Sequence, residues 1–186
     1  PWNGEILSGT SSRRKYCRRA ILFTAILRRF KGLNHRSSLL EKLIYKRLNR
    51  RYRREKNYLS WFSADEEVRE RYGADRRSQF QFTLSAYENI FKMLGLVSTR
   101  KWYRSIDKDL PILLISGKDD PIGNFGKGID EIFQRLSGEG CPVEEKLYEG
   151  VRHELQSDPD RERIFNDMLT WMKKYVQEPS EGSFIY

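Results

Sequence analysis

The sequence predicts an α/β fold in which a short parallel sheet carries a long helical insertion. An apolar run at 110–115 and a stretch at 143–148 that alternates like a strand each precede a segment of helical periodicity, 129–136 and 161–176. Strand, helix, strand, helix is one βαβα unit, the repeat of a parallel sheet. Upstream of that unit, residues 13–104 hold several segments of helical spacing and follow a short strand-like stretch at Glu5. Charge changes with pattern: residues 1–56 hold 17 Lys/Arg against 3 Asp/Glu, a net +14, and the remainder holds 18 against 23, a net −5. A basic insert beside a mildly acidic body marks a local surface rather than a chain that is basic throughout.

Residues 5–10 read as the end of a strand followed by a turn. From Arg13, Tyr16, Ala20, Ile21, Thr24, Ile26 and Leu27 recur at helical spacings among Arg18, Arg19, Arg28 and Arg29, until Lys31-Gly32 stops the pattern. A second basic helix follows Ser37-Ser38, with Leu39, Leu40, Leu43, Ile44 and Leu48 on its apolar face. The two basic helices are expected to pair. Ser63-Ala-Asp-Glu-Glu67 starts a short helix, and 83–96 forms another that ends near Gly95. Gly126-Lys-Gly128 lacks the Gly-rich run ending in Lys-Ser/Thr of a phosphate loop, so it is a helix start. No internal repeat is present. The expected division is a strand end of the core at 1–12, a helical cap at 13–104, the carboxyl-terminal core at 105–178 and a loose tail at 179–186.

Several classes drop out. No stretch approaches the roughly 20 apolar residues that span a bilayer. Pro1-Trp-Asn-Gly4 has neither an initiator Met nor a secretory n-region, so the expectation is a fragment of a cytoplasmic protein. Cys17 and Cys141 lie far apart and are read as thiols rather than half-cystines, and two histidines, His35 and His153, are too few for a multi-histidine metal site. His35 is expected in a solvated basic turn.

Chemistry concentrates at the ends of the two strand-like stretches. The first ends in Ser116-Gly-Lys-Asp-Asp-Pro121 and the second in Gly150-Val-Arg-His-Glu154. In open α/β sheets reacting groups sit at the carboxyl ends of strands, so a carboxylate and an imidazole stand where a charge-relay pair would. Asp120 and His153 are the candidates, with Asp119 the competing acid. Arg152 and Glu154 are expected to anchor the loop. A Gly-x-Ser-x-Gly turn, which would present a nucleophilic serine, occurs nowhere in the chain.

Residues 105–176 resemble the carboxyl-terminal part of an α/β-hydrolase of the serine aminopeptidase, lysophospholipase and monoacylglycerol lipase group. The resemblance rests on Leu110-Pro-Ile-Leu-Leu-Ile-Ser-Gly-Lys-Asp-Asp-Pro-Ile-Gly123, Gly126-Lys-Gly128, Lys146-Leu-Tyr-Glu-Gly-Val-Arg-His-Glu-Leu155 and Asp167-Met-Leu-Thr-Trp171. It implies a partial α/β-hydrolase sheet with an inserted helical lid, with Asp120 as triad acid and His153 as base. The implied activity is cleavage of a small acyl ester such as a lysophospholipid or monoacylglycerol, amide substrates remaining open, by a serine upstream of Pro1. No cofactor is implied, and the chain alone is expected to be inactive. The sequence departs from the group at Gln156-Ser-Asp158, where relatives commonly carry Asn-Glu, and at Asp75-Arg-Arg-Ser-Gln-Phe80, which lacks the group's Pro, Cys and Gly.

The basic helices, apolar on one face, also suit contact with an anionic membrane. The rival expectation is a non-catalytic basic module that binds nucleic acid or anionic membrane. Nucleic acid is disfavoured because no recognised nucleic-acid motif appears.

Overall fold

The computed structural model describes residues 4–12 and 14–175. The expected helix start at Arg13 and the expected loose tail at 179–186 lie outside the described residues. Three parallel strands form the sheet in the order β1 (Glu5–Ser8), β2 (Ile112–Gly117), β3 (Val143–Tyr148), with Glu5 opposite Ile112 and Ile112 opposite Val143.

β2 is buried at all its positions, which explains its uninterrupted apolar run: a parallel strand covered on both faces has no solvent side. Successive side chains point to opposite faces, so β2 feeds two cores. Ile112 and Leu114 pack with Ile129, Ile132 and Leu136 of α6 (Lys127–Gly138). Leu113 and Ile115 pack with Val151, Leu155 and with Ile164 and Trp171 of α7 (Arg161–Lys173). Helices therefore cover the sheet on both sides.

Between β1 and β2 the helical insertion comprises α1 (Arg14–Lys31), α2 (Ser38–Leu48), α3 (Glu66–Ala74), α4 (Leu84–Val97) and α5 (Arg100–Arg104). Side-chain caps fix several starts: Ser37 accepts from Leu40 N–H, Asp65 from Glu67 and Val68, Thr83 from Ala86, and Thr99 from Trp102. α5 was not foreseen, because five residues are too few to show a period.

The two basic helices were expected to pair, but α1 packs chiefly along α4. α1 and α4 run antiparallel, with Cys17 beside Gly95 and Arg28 in an ion pair at 3.0 Å with the buried Glu88. α1 turns its Cys17 and Thr24 side inward and leaves Leu22, Phe23, Ile26 and Phe30 exposed, so Ile26 stands opposite the face the periodicity assigned it. α2 contributes Leu40, which joins Leu84 and Tyr87 in a small cluster against which Leu27 of α1, Ile44 and Phe91 also pack. Among the described residues no helix is long and apolar enough to cross a membrane.

Because Leu114 is fully buried at the centre of the sheet, Leu114→Ala is expected to lower unfolding free energy by about 2–5 kcal/mol, read from urea denaturation.

Candidate active site

Two loops leave the carboxyl ends of adjacent strands, residues 118–126 after β2 and 149–157 after β3. They cross at Gly117, where a Cβ would lie 2.0 Å from the Val151 carbonyl oxygen, so only glycine fits. Lys118 N–H donates to Tyr148 O at 2.8 Å, and Asp119 N–H to Val151 O at 3.0 Å, tying the loops backbone to backbone. Asn124 and Phe125 both have positive φ, at 55° and 58°. That unusual backbone lets Phe125 N–H turn back onto Asp120 O at 2.8 Å, closing the loop around Asp120.

Asp120 is fully buried. Its Oδ1 accepts the Ile122 N–H at 2.7 Å, and its Oδ2 lies 3.0 Å from His153 Nδ1. A carboxylate can only accept, so in a pairing with an ionised Asp120 it is Nδ1 that donates, and Nε2 is the nitrogen on the far side of the ring from the acid. His153 remains partly open, with 27% of its side chain exposed. The buried acid and the partly open imidazole thus form a directional pair.

Asp119 turns elsewhere. Its carboxylate is 3.3 Å from Arg51 Nη1, and its carbonyl accepts the Tyr52 hydroxyl. Burial, with the Asp119 carboxylate second, pushes the Tyr52 phenol up to about 12, so it stays a donor at neutral pH. Both Arg152 and Glu154 hold the histidine loop: Arg152 grips Glu55 through two nitrogens at 2.6 and 2.9 Å, and Glu154 N–H donates to Phe62 O at 2.9 Å. His35 sits exposed in the turn before α2, where its backbone carbonyl accepts from Leu84 N–H.

Two contacts of His153 were missed by sequence reasoning. Trp61 lies against the imidazole, ring centres 5.1 Å apart and planes at 36°. Gly9, at φ 60° just past β1, brings bare backbone to the Nδ1–Cε1 edge of the ring; a Cβ there would be 3.0 Å from His153 Cε1. The Ser8-Gly9-Thr10 turn at a strand end was the available signal for Gly9, while Trp61 stood among many aromatics with nothing to single it out. Among the described residues no group of three or more His, Cys, Asp or Glu could hold a metal ion.

A family model described as serine aminopeptidase, S33, matches residues 4–160. The chain belongs to this α/β-hydrolase family. Solved structures agree on the fold of this S33 member. A lipase in its open form is similar with a TM-score of 0.83 at 20% identity, over 95% of this chain and 58% of its own. A highly thermostable carboxyl esterase from Bacillus coagulans, in complex with glycerol, gives 0.84 at 24% identity, over 94% of this chain and 57% of its own. A soluble variant of monoglyceride lipase from Saccharomyces cerevisiae, in complex with a substrate analogue, gives 0.65 at 22% identity, over 95% and 54%. The S33 chain therefore spans a little over half the length of these proteins. No curated protein matches it in sequence.

The hydrogen bond from Arg152, ahead of all other causes, holds the Glu55 carboxyl below the usual carboxylate range. A depressed folded-state value means that this stabilisation is complete above the unfolded value and is lost as pH falls through the folded one. Urea midpoints are expected to fall on acidification through the carboxylate range, and Glu55→Gln to flatten part of that fall.

Proposed function

We propose that Asp120 and His153 are the acid and base of a Ser-Asp-His triad, in a serine hydrolase that cleaves a carboxylic ester, a lysophospholipid or monoacylglycerol. The nucleophile in this reading is a serine on a Gly-x-Ser-x-Gly turn upstream of Pro1, and the helical insertion is the lid. The observation that carries the reading is the 3.0 Å contact between a fully buried carboxylate and a half-open imidazole, at the carboxyl ends of neighbouring strands. Membership of the S33 family supports it.

The chemistry follows from that geometry. The serine Oγ attacks the ester carbonyl carbon as its proton passes to His153 Nε2, and Asp120 stabilises the imidazolium without taking the proton. Collapse of the tetrahedral intermediate breaks the bond to the alcohol, which leaves with the proton from Nε2. Water then attacks the acyl-serine, again giving a proton to Nε2. Release of the carboxylic acid returns that proton to the serine. Backbone donors for the oxyanion are part of this reading too, each worth roughly 3–4 kcal/mol in the barrier, and they lie with the serine outside this chain. The 186-residue chain alone is therefore inactive in this reading.

The same reading gives the lid a lipid-facing role. Leu22, Phe23, Ile26 and Phe30 form an outward stripe on α1, from 38% exposed at Phe23 to 80% at Phe30, with exposed Arg18, Arg19 and Arg29 among them. Apolar side chains flanked by cations fit an anionic bilayer surface, where each cation near the headgroups adds about 1 kcal/mol. The protein in this reading is cytoplasmic and peripheral to a membrane.

Hydrolysis of a p-nitrophenyl ester by a protein that carries this chain behind its serine elbow tests the triad. Asp120→Asn is expected to lower kcat about 10⁴-fold, and Asp119→Asn to leave it within a few-fold; the reverse ranking would move the acid to Asp119. Sedimentation with vesicles tests the lid: phosphatidylserine vesicles should retain the chain, phosphatidylcholine vesicles should not, and Phe30→Asp should weaken retention. Salt-dependent binding to nucleic acid without vesicle preference would instead favour the basic-module reading.

A further inference from the structure

The segment between α2 and α3 touches both loops of the candidate site, and its contacts converge on the residues flanking His153. The geometry points to Arg152 as a positioning residue that ties the histidine loop to this segment, so that the lid sets how Trp61 meets the His153 imidazole. The importance of the coupling for turnover rests on the hydrolase reading; the coupling itself does not.

Arg152 lies with its guanidinium carbon 3.9 Å from the centre of the Tyr52 ring. Its Nη2 reaches Glu55 Oε1 at 2.6 Å and its Nη1 reaches Glu55 Oε2 at 2.9 Å, a two-point grip on one carboxylate. Nη1 also donates to the carbonyls of Ser60 at 2.5 Å and Ser63 at 3.2 Å. Those two carbonyls bracket Trp61 and Phe62. On the other side of His153, Glu154 N–H donates to Phe62 O at 2.9 Å. The residue before the imidazole and the residue after it are therefore both fastened to the backbone around Trp61.

Only an arginine fits this role. A guanidinium presents a planar fork of donors and a flat face for stacking, and here the fork takes a carboxylate and two carbonyls while the face takes an aromatic ring. An ammonium has three donors and no plane. The Arg152 side chain is itself 12% exposed, while the Glu55 carboxylate it grips keeps 33% of its surface in solvent. A second arginine, Arg69, steadies the same carbonyl cluster by donating to Ser63 O at 3.0 Å and Ala64 O at 2.8 Å, and it stands 3.7 Å from Glu55.

The segment also reaches the acid loop. The Tyr52 hydroxyl donates to the Asp119 carbonyl, and Arg51 pairs with the Asp119 carboxylate, one residue from Asp120. Asp120 holds the imidazole by its edge and Trp61 holds it by its face. A displacement of the segment would move the ring relative to the carboxylate that orients it.

The chain contains only two histidines, and His35 sits exposed in a different turn, so His153 can be followed on its own. The test is a pH titration of both imidazoles by proton NMR, beside the emission of Trp61 taken as the difference between the wild type and Trp61→Phe. In the wild type, Trp61 emission is expected to drop as His153 protonates, because an imidazolium against an indole face quenches it. Arg152→Lys keeps the charge and loses the fork; it is expected to lose about half or more of that amplitude, and to move the His153 midpoint while His35 stays in place. A wild-type amplitude and midpoint in a cooperatively melting Arg152→Lys chain would overturn the assignment. Where that variant does not melt cooperatively, Glu55→Gln, which keeps size and removes only charge, carries the same two outcomes. No turnover enters the measurement, so its failure leaves the triad reading standing, and a failed triad test leaves this result intact.

Discussion

Everything at the candidate site depends on how closely two backbones pass at Gly117. The chain leaving β2 and the chain leaving β3 approach until a single carbon has no room between them. That approach permits the Lys118 and Asp119 amides to reach Tyr148 and Val151, and it brings a buried acid and an imidazole within one hydrogen bond although 33 positions separate them. The sheet supplies the rigid base: β2 is buried on both faces and cannot shift its register without moving an apolar side chain out of one core and into the other.

Much of this was legible in the residues. The run at 110–115 read as a buried strand, and the helical periods at 129–136 and 161–176 announced the two helices that cover it. Both candidate groups stood at strand ends, so the sequence placed them on one rim. What it left open was which of two adjacent aspartates faces the histidine. That choice is made by a loop whose course depends on two non-glycine residues at positive φ, Asn124 and Phe125, and composition gives no warning of them.

The helical insertion was harder to read because its helices have two apolar sides. On α1, Cys17 and Thr24 pack inward while Leu22, Ile26 and Phe30 face out, and a periodicity that only counts apolar residues cannot tell a docking face from an exposed one. A buried carboxylate marks the partner: Glu88 of α4 draws in Arg28 of α1. The partners of Arg152 were invisible for another reason. They lie 89 to 97 positions away, and no local pattern marks a surface arginine as one that will end up enclosed.

The sheet register has a consequence for the order of assembly. β2 and β3 are joined by one helix, whereas Glu5 must find Ile112 across the whole insertion. Closing so long a loop adds little to the equilibrium cost, about 0.6 kcal/mol for each doubling of length, but the search it requires is slow. The carboxyl-terminal βαβα unit can therefore form early and by itself. Contact order places β1 after it, and with β1 comes Gly9, the bare backbone at the edge of the imidazole. Half of the His153 environment is local in sequence and forms with its own unit; the other half is completed only when the chain closes on itself.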